Sequence, residues 1–296
     1  MSYIGEISAL ITAILWAGTA IVFTEATKIV GSYVVNITRL LLATVYLIIT
    51  ILLFNLDFRI SWEQIYLLGL SGLIGLVFGD GFLFKSFQYI GARLSMLVMT
   101  LAPPLAALLA YVYLGEELST WGILGIVITI SGVSIVVFKR SEQPTKDYKK
   151  NNLGYIFAFL GAIGQAVNLI FAKEAFQLGE INGFVATFYR MVPSLPFMYL
   201  LGLMYRKKRN SVLILKKEKK ALNYIVIGSI IGPFLGITFS LIAIAYTFVG
   251  IASTLMATVP IVMLPIIIFY YKEKLSPISI LGAFIAVAGI AVLFLK

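Results

Sequence analysis

Ten apolar segments fill most of this chain, each close to the roughly 20 residues that a helix needs to cross a hydrocarbon core, and they leave room for little besides membrane-spanning structure. They cover 4–23, 30–54, 65–84, 92–113, 121–138, 153–172, 181–205, 222–243, 250–271 and 277–295. Only 139–152 and 206–220 are long connections. None of the segments has the period-two alternation of a barrel strand. Backbone polar groups in lipid must bond within their own segment, so the chain is expected to form a bundle of ten transmembrane helices. Hydrophobic residues make up 60% of the chain and charged residues 12%, against roughly 25% charged in a soluble domain. With a mean hydropathy of +1.01 in 32.6 kDa, so much apolar surface cannot be hidden from water. A soluble enzyme, a nucleic-acid-binding domain and a disordered scaffold are thereby excluded. The chain has no cysteine and no histidine, which excludes thiol chemistry, an imidazole proton relay and a histidine-ligated metal. No glycine-loop signature for ATP is present, so transport powered by this chain's own ATP hydrolysis is excluded and no cofactor is expected. The first apolar segment has no basic region ahead of it and is expected to be a span, not a cleaved signal.

Ten spans return the chain to the side on which it starts. Assigned by span parity, the side with the termini holds Arg59, Lys173 and Lys296 against seven acids, a net −4. The opposite side holds 18 basic residues and five acids, a net +13, and Arg39, Arg190 and Asp80 inside spans supply the last +1 of the +10 total. Basic loops stay in the cytoplasm. The clusters Lys139, Arg140, Lys146, Lys149, Lys150 and Arg206 to Lys220 are therefore expected there, with both termini outside, in a multi-pass protein of the plasma or inner membrane.

The sequence also repeats itself. At a constant offset of 157, Gly75 matches Gly232, Gly79 matches Gly236, Phe82 matches Phe239, Tyr89 matches Tyr246, Met99 matches Met256 and Pro103 matches Pro260. The match continues through Glu116/Glu273, Ser119/Ser276, Gly125/Gly282 and Gly132/Gly289. A weaker echo at shorter offsets pairs Gly5 with Gly154, Glu25 with Glu174 and Arg39 with Arg190. The expected domains are a five-helix repeat over 1–140, a basic linker over 141–152 and a second five-helix repeat over 153–296. Five is odd, so the second repeat is expected to be inverted relative to the first, as in secondary transporters that rock around a midplane site.

Pro103 followed by Leu114-Gly115-Glu116-Glu117-Leu118-Ser119, Gly125 and Gly132, and again Pro260 followed by Lys272-Glu273-Lys274-Leu275-Ser276, Gly282 and Gly289, make each half resemble an EamA domain of the drug/metabolite transporter superfamily. The second half departs at Lys272, where that family usually has glycine. The resemblance implies a ten-helix exporter of small metabolites or drugs, with a central cavity lined by helices one, three, four, six, eight and nine. Many members of the family carry charges that place the termini in the cytoplasm, unlike the charges here.

Asp80 is the one acid well inside a span. An intramembrane carboxylate is costly and marks a functional candidate, as a proton-coupling group or a counter-charge for an amine; the structural alternative is a satisfied pair with Lys85 or Arg93. Glu25 with Arg39, and Glu174 with Arg190, read as a duplicated acid–base pair at the two mouths, either a gate or structural ion pairs. Gln165 and Asn168, one turn apart, correspond to Trp16 and Thr19; buried amides in lipid seek partners, on a substrate or on a neighbouring helix. Trp16, Phe23, Phe84, Phe171, Phe239 and Tyr246 are candidates for an aromatic cavity wall. Pro103, Pro104, Pro260 and Pro265 interrupt spans four and nine, and shape a hinge, a cavity or a static kink. The spaced glycines 75/79, 228/232/236, 125/132 and 282/289 are expected to serve close helix packing, and Glu116 and Glu273 to cap span ends. The substrate-binding set is thus Trp16, Thr19, Asp80, Phe84, Met99, Pro103, Gln165, Asn168, Phe239, Tyr246, Met256 and Pro260. The expected function is a secondary transporter, most simply an exporter, of small amphipathic metabolites such as amino acids, by alternating access. The partners are a small solute, the lipid bilayer and protons as a candidate coupling ion; a monomer suffices because both halves are fused. The alternatives are a passive channel and a lipid-handling membrane protein.

Overall fold

The computed structural model describes residues 3–114, 119–138, 152–204, 211–246, 255–269 and 275–293, with residues 252 and 272. The described residues are helical, without strands. The first helix, α1 (Ile4–Val30), runs past the expected end of its span and turns into α2 (Ser32–Leu53) at Gly31, whose φ of 87° suits glycine. A capping box opens α3 (Trp62–Gly72): Gln64 N–H donates to Ser61 Oγ, and Ser61 N–H donates back to Gln64 Oε1. It passes into a π-helical stretch, π1 (Leu73–Gly79), and then α4 (Asp80–Met99).

The expected third and fourth spans are redrawn here. The helical run does not stop at 84; the chain breaks at Gly91, with φ 74° and ψ 172°. The fourth span is divided by a turn at Thr100 and Leu101, after which α5 (Ala102–Leu114) begins. Pro103 and Pro104 occupy the first turn of α5, where a missing N–H leaves no intrahelical bond unmade, so they start a helix and do not kink a continuous one. Next comes α6 (Thr120–Phe138).

The second half repeats this plan. It has α7 (Asn152–Gln177), α8 (Gly183–Met204) with Pro193 and Pro196 inside it, a short α9 (Ser211–Lys217), and α10 (Lys219–Ser229). A second π-helical stretch, π2 (Ile230–Gly236), leads into α11 (Ile237–Tyr246), followed by α12 (Val259–Phe269) and α13 (Pro277–Leu293). Both π-helices, the turns at 100–101 and 257–258, and the starts of α5/α12 and α6/α13 fall 157 residues apart. Among the described residues six helical runs are long and apolar enough to span a membrane: Ile4–Val30, Ser32–Leu53, Trp62–Met99, Asn152–Gln177, Gly183–Leu203 and Lys219–Tyr246; Thr120–Val136, Val259–Phe269 and Pro277–Val292 are shorter apolar helices. The outer face carries Leu41, Ile48, Leu52, Ile123, Ile130 and Leu281, all exposed, as a lipid solvent permits. The chain is a multi-pass membrane protein whose described residues form no strands. The predicted caps Glu116 and Glu273 and residues 141–151 of the linker lie outside the described residues; Asn152, the linker's last residue, already belongs to α7.

The halves exchange their first helices. Helix α1 packs along α10, π2 and α11, while α7 packs along α3, π1 and α4. Glycines make the close approach possible. A Cβ on Gly232 would strike Thr19, and one on Gly75 would strike Asn168; Gly236 faces Trp16, and Gly79 lies against the backbone of Gly164 and Gln165. A second seam joins α6 to α13, where a Cβ on Gly132 would collide with the Ala286 backbone and one on Gly289 with Thr129. Thr129 Oγ1 donates across that seam to Ala286 O, its own repeat position, at 3.3 Å.

Candidate functional site

A cavity of about 180 Å³ lies between the two halves, walled by α1, α2, π1, α4, α7, α8, π2, α11, the turns at 100–101 and 257–258 and the first turns of α5 and α12. Its lining residues occur in repeat-related pairs. At offset 157 these include Leu76/Pro233, Asp80/Ile237, Leu83/Ser240, Phe84/Leu241, Phe87/Ile244, Met99/Met256 and Pro103/Pro260; at shorter offsets they include Trp16/Gln165, Thr19/Asn168 and Arg39/Arg190. Of the residues expected to bind substrate, Trp16, Thr19, Asp80, Phe84, Met99, Pro103, Gln165, Asn168, Met256 and Pro260 share this wall.

Phe239 and Tyr246 do not line it, which corrects their place in the set. The wall uses the face of α11 that carries Ile237, Ser240, Leu241 and Ile244. Phe239 and Tyr246 are seven residues apart on another face, and Tyr246 is 67% exposed. Phe23 and Phe171 are also outside the lining; Phe23 is fully buried behind Phe84, with ring centroids 5.1 Å apart. Among the lining residues that sequence reasoning missed, Ile237, Ser240 and Leu241 were reachable by adding 157 to Asp80, Leu83 and Phe84 instead of to Phe82.

The charged and amide side chains of the wall form one hydrogen-bonded chain, whereas the Thr19, Thr100 and Ser240 hydroxyls bond to carbonyls close by in sequence. Arg39 Nη2 pairs with Asp80 Oδ2 at 2.6 Å, and Arg39 Nε donates to Asn36 Oδ1 at 2.9 Å. Gln165 Nε2 donates to Asp80 Oδ1 at 2.9 Å, Asn168 Nδ2 donates to Gln165 Oε1 at 2.8 Å, and Arg190 Nη2 donates to Asn168 Oδ1 at 2.6 Å. The chain thus runs from Arg39 to Arg190 through both halves. The π1 stretch helps to hold it: Asp80 N–H bonds back to Gly75 O, five residues earlier, and Leu76 O accepts from Asn36 Nδ2 at 3.0 Å. The Arg39 guanidinium also lies 4.6 Å from the centroid of the Phe84 ring.

This network overturns the expected acid–base pairs. Because α1 continues to Val30, Glu25 sits in the turn before its last and pairs with Lys28 at 2.9 Å. Arg39, the eighth residue of α2, is about 10 Å along the helix, inside the protein and beside Asp80. Likewise, no ion pair among the described residues joins Glu174 to Arg190. The partner of Asp80 is accordingly Arg39, and neither Lys85 nor Arg93 pairs with it among the described residues.

Two segments of the chain, residues 3–138 and 152–295, each match the model of the EamA-like transporter family. Among solved structures 28 chains match; one crystal structure covers 97% of this chain and 94% of its own with a TM-score of 0.70 at 16% identity, a likeness of fold. No curated protein matches the chain.

Proposed function

The chain belongs to the EamA-like transporter family, whose members are transporters and not enzymes, and from that premise we propose that it is a secondary transporter that exports small metabolites with an apolar body. Ten spans form two inverted five-helix repeats, which tilt alternately around the cavity between them. The break at Gly91 supports the count, since it separates the third span from the fourth within one helical run. The single observation that carries the reading is the paired lining: equivalent positions of the two halves face one cavity, as a site shared by two rocking halves requires. The turns that open α5 and α12 are matched hinge points beside the lining residues Pro103 and Pro260. Export is the direction that the family resemblance implies, and the basic loops support termini on the outside of the plasma or inner membrane.

Counterflow in proteoliposomes tests the proposal. Vesicles loaded with unlabelled solute should accumulate labelled solute transiently, with a rate that saturates. Flux linear in concentration, without exchange, would replace the carrier by a passive channel.

A further inference from the structure

We propose that the transported solute is a small monocarboxylate with an apolar body, and that Arg190 holds its carboxylate. The proposal rests on the reading of the cavity as the substrate site. Among the described residues the cavity wall carries three charges, those of Arg39, Asp80 and Arg190. Asp80 is already spent: one oxygen takes Arg39 and the other takes Gln165. Arg190 is 5% exposed. Of its five N–H donors, one bonds to Asn168, and its buried Nε has no partner. The repeat shows what is missing. The position that Asp80 holds opposite Arg39 is held in the second half by Ile237, which also lines the cavity.

The wall therefore carries one positive charge in excess, on a guanidinium whose fork matches a carboxylate. An unmatched cation inside a membrane protein is expensive, and a singly charged anion cancels it. Apart from Gln165, Asn168 and the hydroxyls of Thr19, Thr100 and Ser240, the rest of the wall is apolar, with Leu83, Phe84, Met99 and Met256, and suits an aliphatic or aromatic body. A free amine finds no unspent carboxylate among the described lining residues, which argues against amino acids and amines.

Thermal unfolding of the purified protein in detergent tests this with butyrate, hexanoate, octanoate and phenylacetate, each beside its amide and amine, and with phenylalanine beside phenylacetate. Bound ligand raises the midpoint. At least one carboxylate should raise it, its amide and amine should not, and Arg190→Gln should weaken the effect at least about tenfold. In Ile237→Asp, the missing acid is restored by repeat symmetry; it should keep the unliganded midpoint or raise it, and should lose carboxylate binding. This variant carries the test if Arg190→Gln fails to fold. Equal shifts from amides or amines, no shift from any carboxylate, or undiminished carboxylate binding in Ile237→Asp would each overturn the proposal. Carboxylate binding that depends on Arg190 without counterflow in vesicles would leave the site standing and remove the transporter reading.

Discussion

At the residue scale the costliest feature is the buried pair of Arg39 and Asp80, with side chains 3% and 11% exposed. Removing one partner strands the other charge, whereas removing both does not. Arg39→Met and Asp80→Leu, each alone, should lose about 3–5 kcal/mol of stability. The double variant should recover most of it, and SDS titration of the purified protein will read the difference. Gln165→Leu should cost less, since it breaks one link of the polar chain and leaves the ion pair in place. Lys272 offers the opposite case. Its φ of 53° lies in the left-handed region, at the position where the resembling family usually has glycine. The strain of about 1 kcal/mol is relieved in Lys272→Gly, less the entropy that glycine adds to the unfolded chain. The variant should melt a degree or two higher.

At the scale of elements, the glycine seam between α6 and α13 sets how closely two apolar helices approach. Gly132→Leu should wedge them apart and lower the thermal midpoint by several degrees, because the new side chain meets the Ala286 backbone and has no flexible neighbour to displace. Ile130→Val, at a position 49% exposed toward lipid, should change it little. These glycines were legible in the sequence because GxxxG-like and heptad spacings fix a helix face without tertiary information. The apolar segments and the offset of 157 were legible for a similar reason: hydropathy and self-similarity are local or linear properties. The π-helices were not, since no residue pattern marks a π turn and its surroundings are tertiary, as with Asn36 donating to Leu76 O. The polar network was half legible. Asp80, Arg39, Gln165, Asn168 and Arg190 stood out as polar groups in apolar spans, but their partners depended on α1 ending at Val30 and on α7 crossing to the other half. Tyr246 was misplaced because residue type was read without helical phase.

At the scale of the whole molecule, inversion of the repeats and their orientation are one question, because a chain whose halves are antiparallel must place matched connections on opposite faces. In the proposed ten-span topology, the net charges of −4 and +13 on the two sides favour one assignment of those faces. The chain lacks cysteine, so single cysteines report topology without background. Asp57, exposed in the connection between α2 and α3, is assigned to the outside, and Lys217, exposed at the end of α9, to the cytoplasm. The connection before α9 follows α8 as the connection at Asp57 follows α2, so these two sites occupy matched places in the two halves. An impermeant maleimide should label Asp57→Cys in intact cells and Lys217→Cys only after the membrane is opened. Labelling of both in intact cells would mean parallel halves, and with them the loss of any rocking mechanism built on inversion; labelling of Lys217→Cys alone would keep the inversion and turn the molecule over, placing the basic loops outside against their charge.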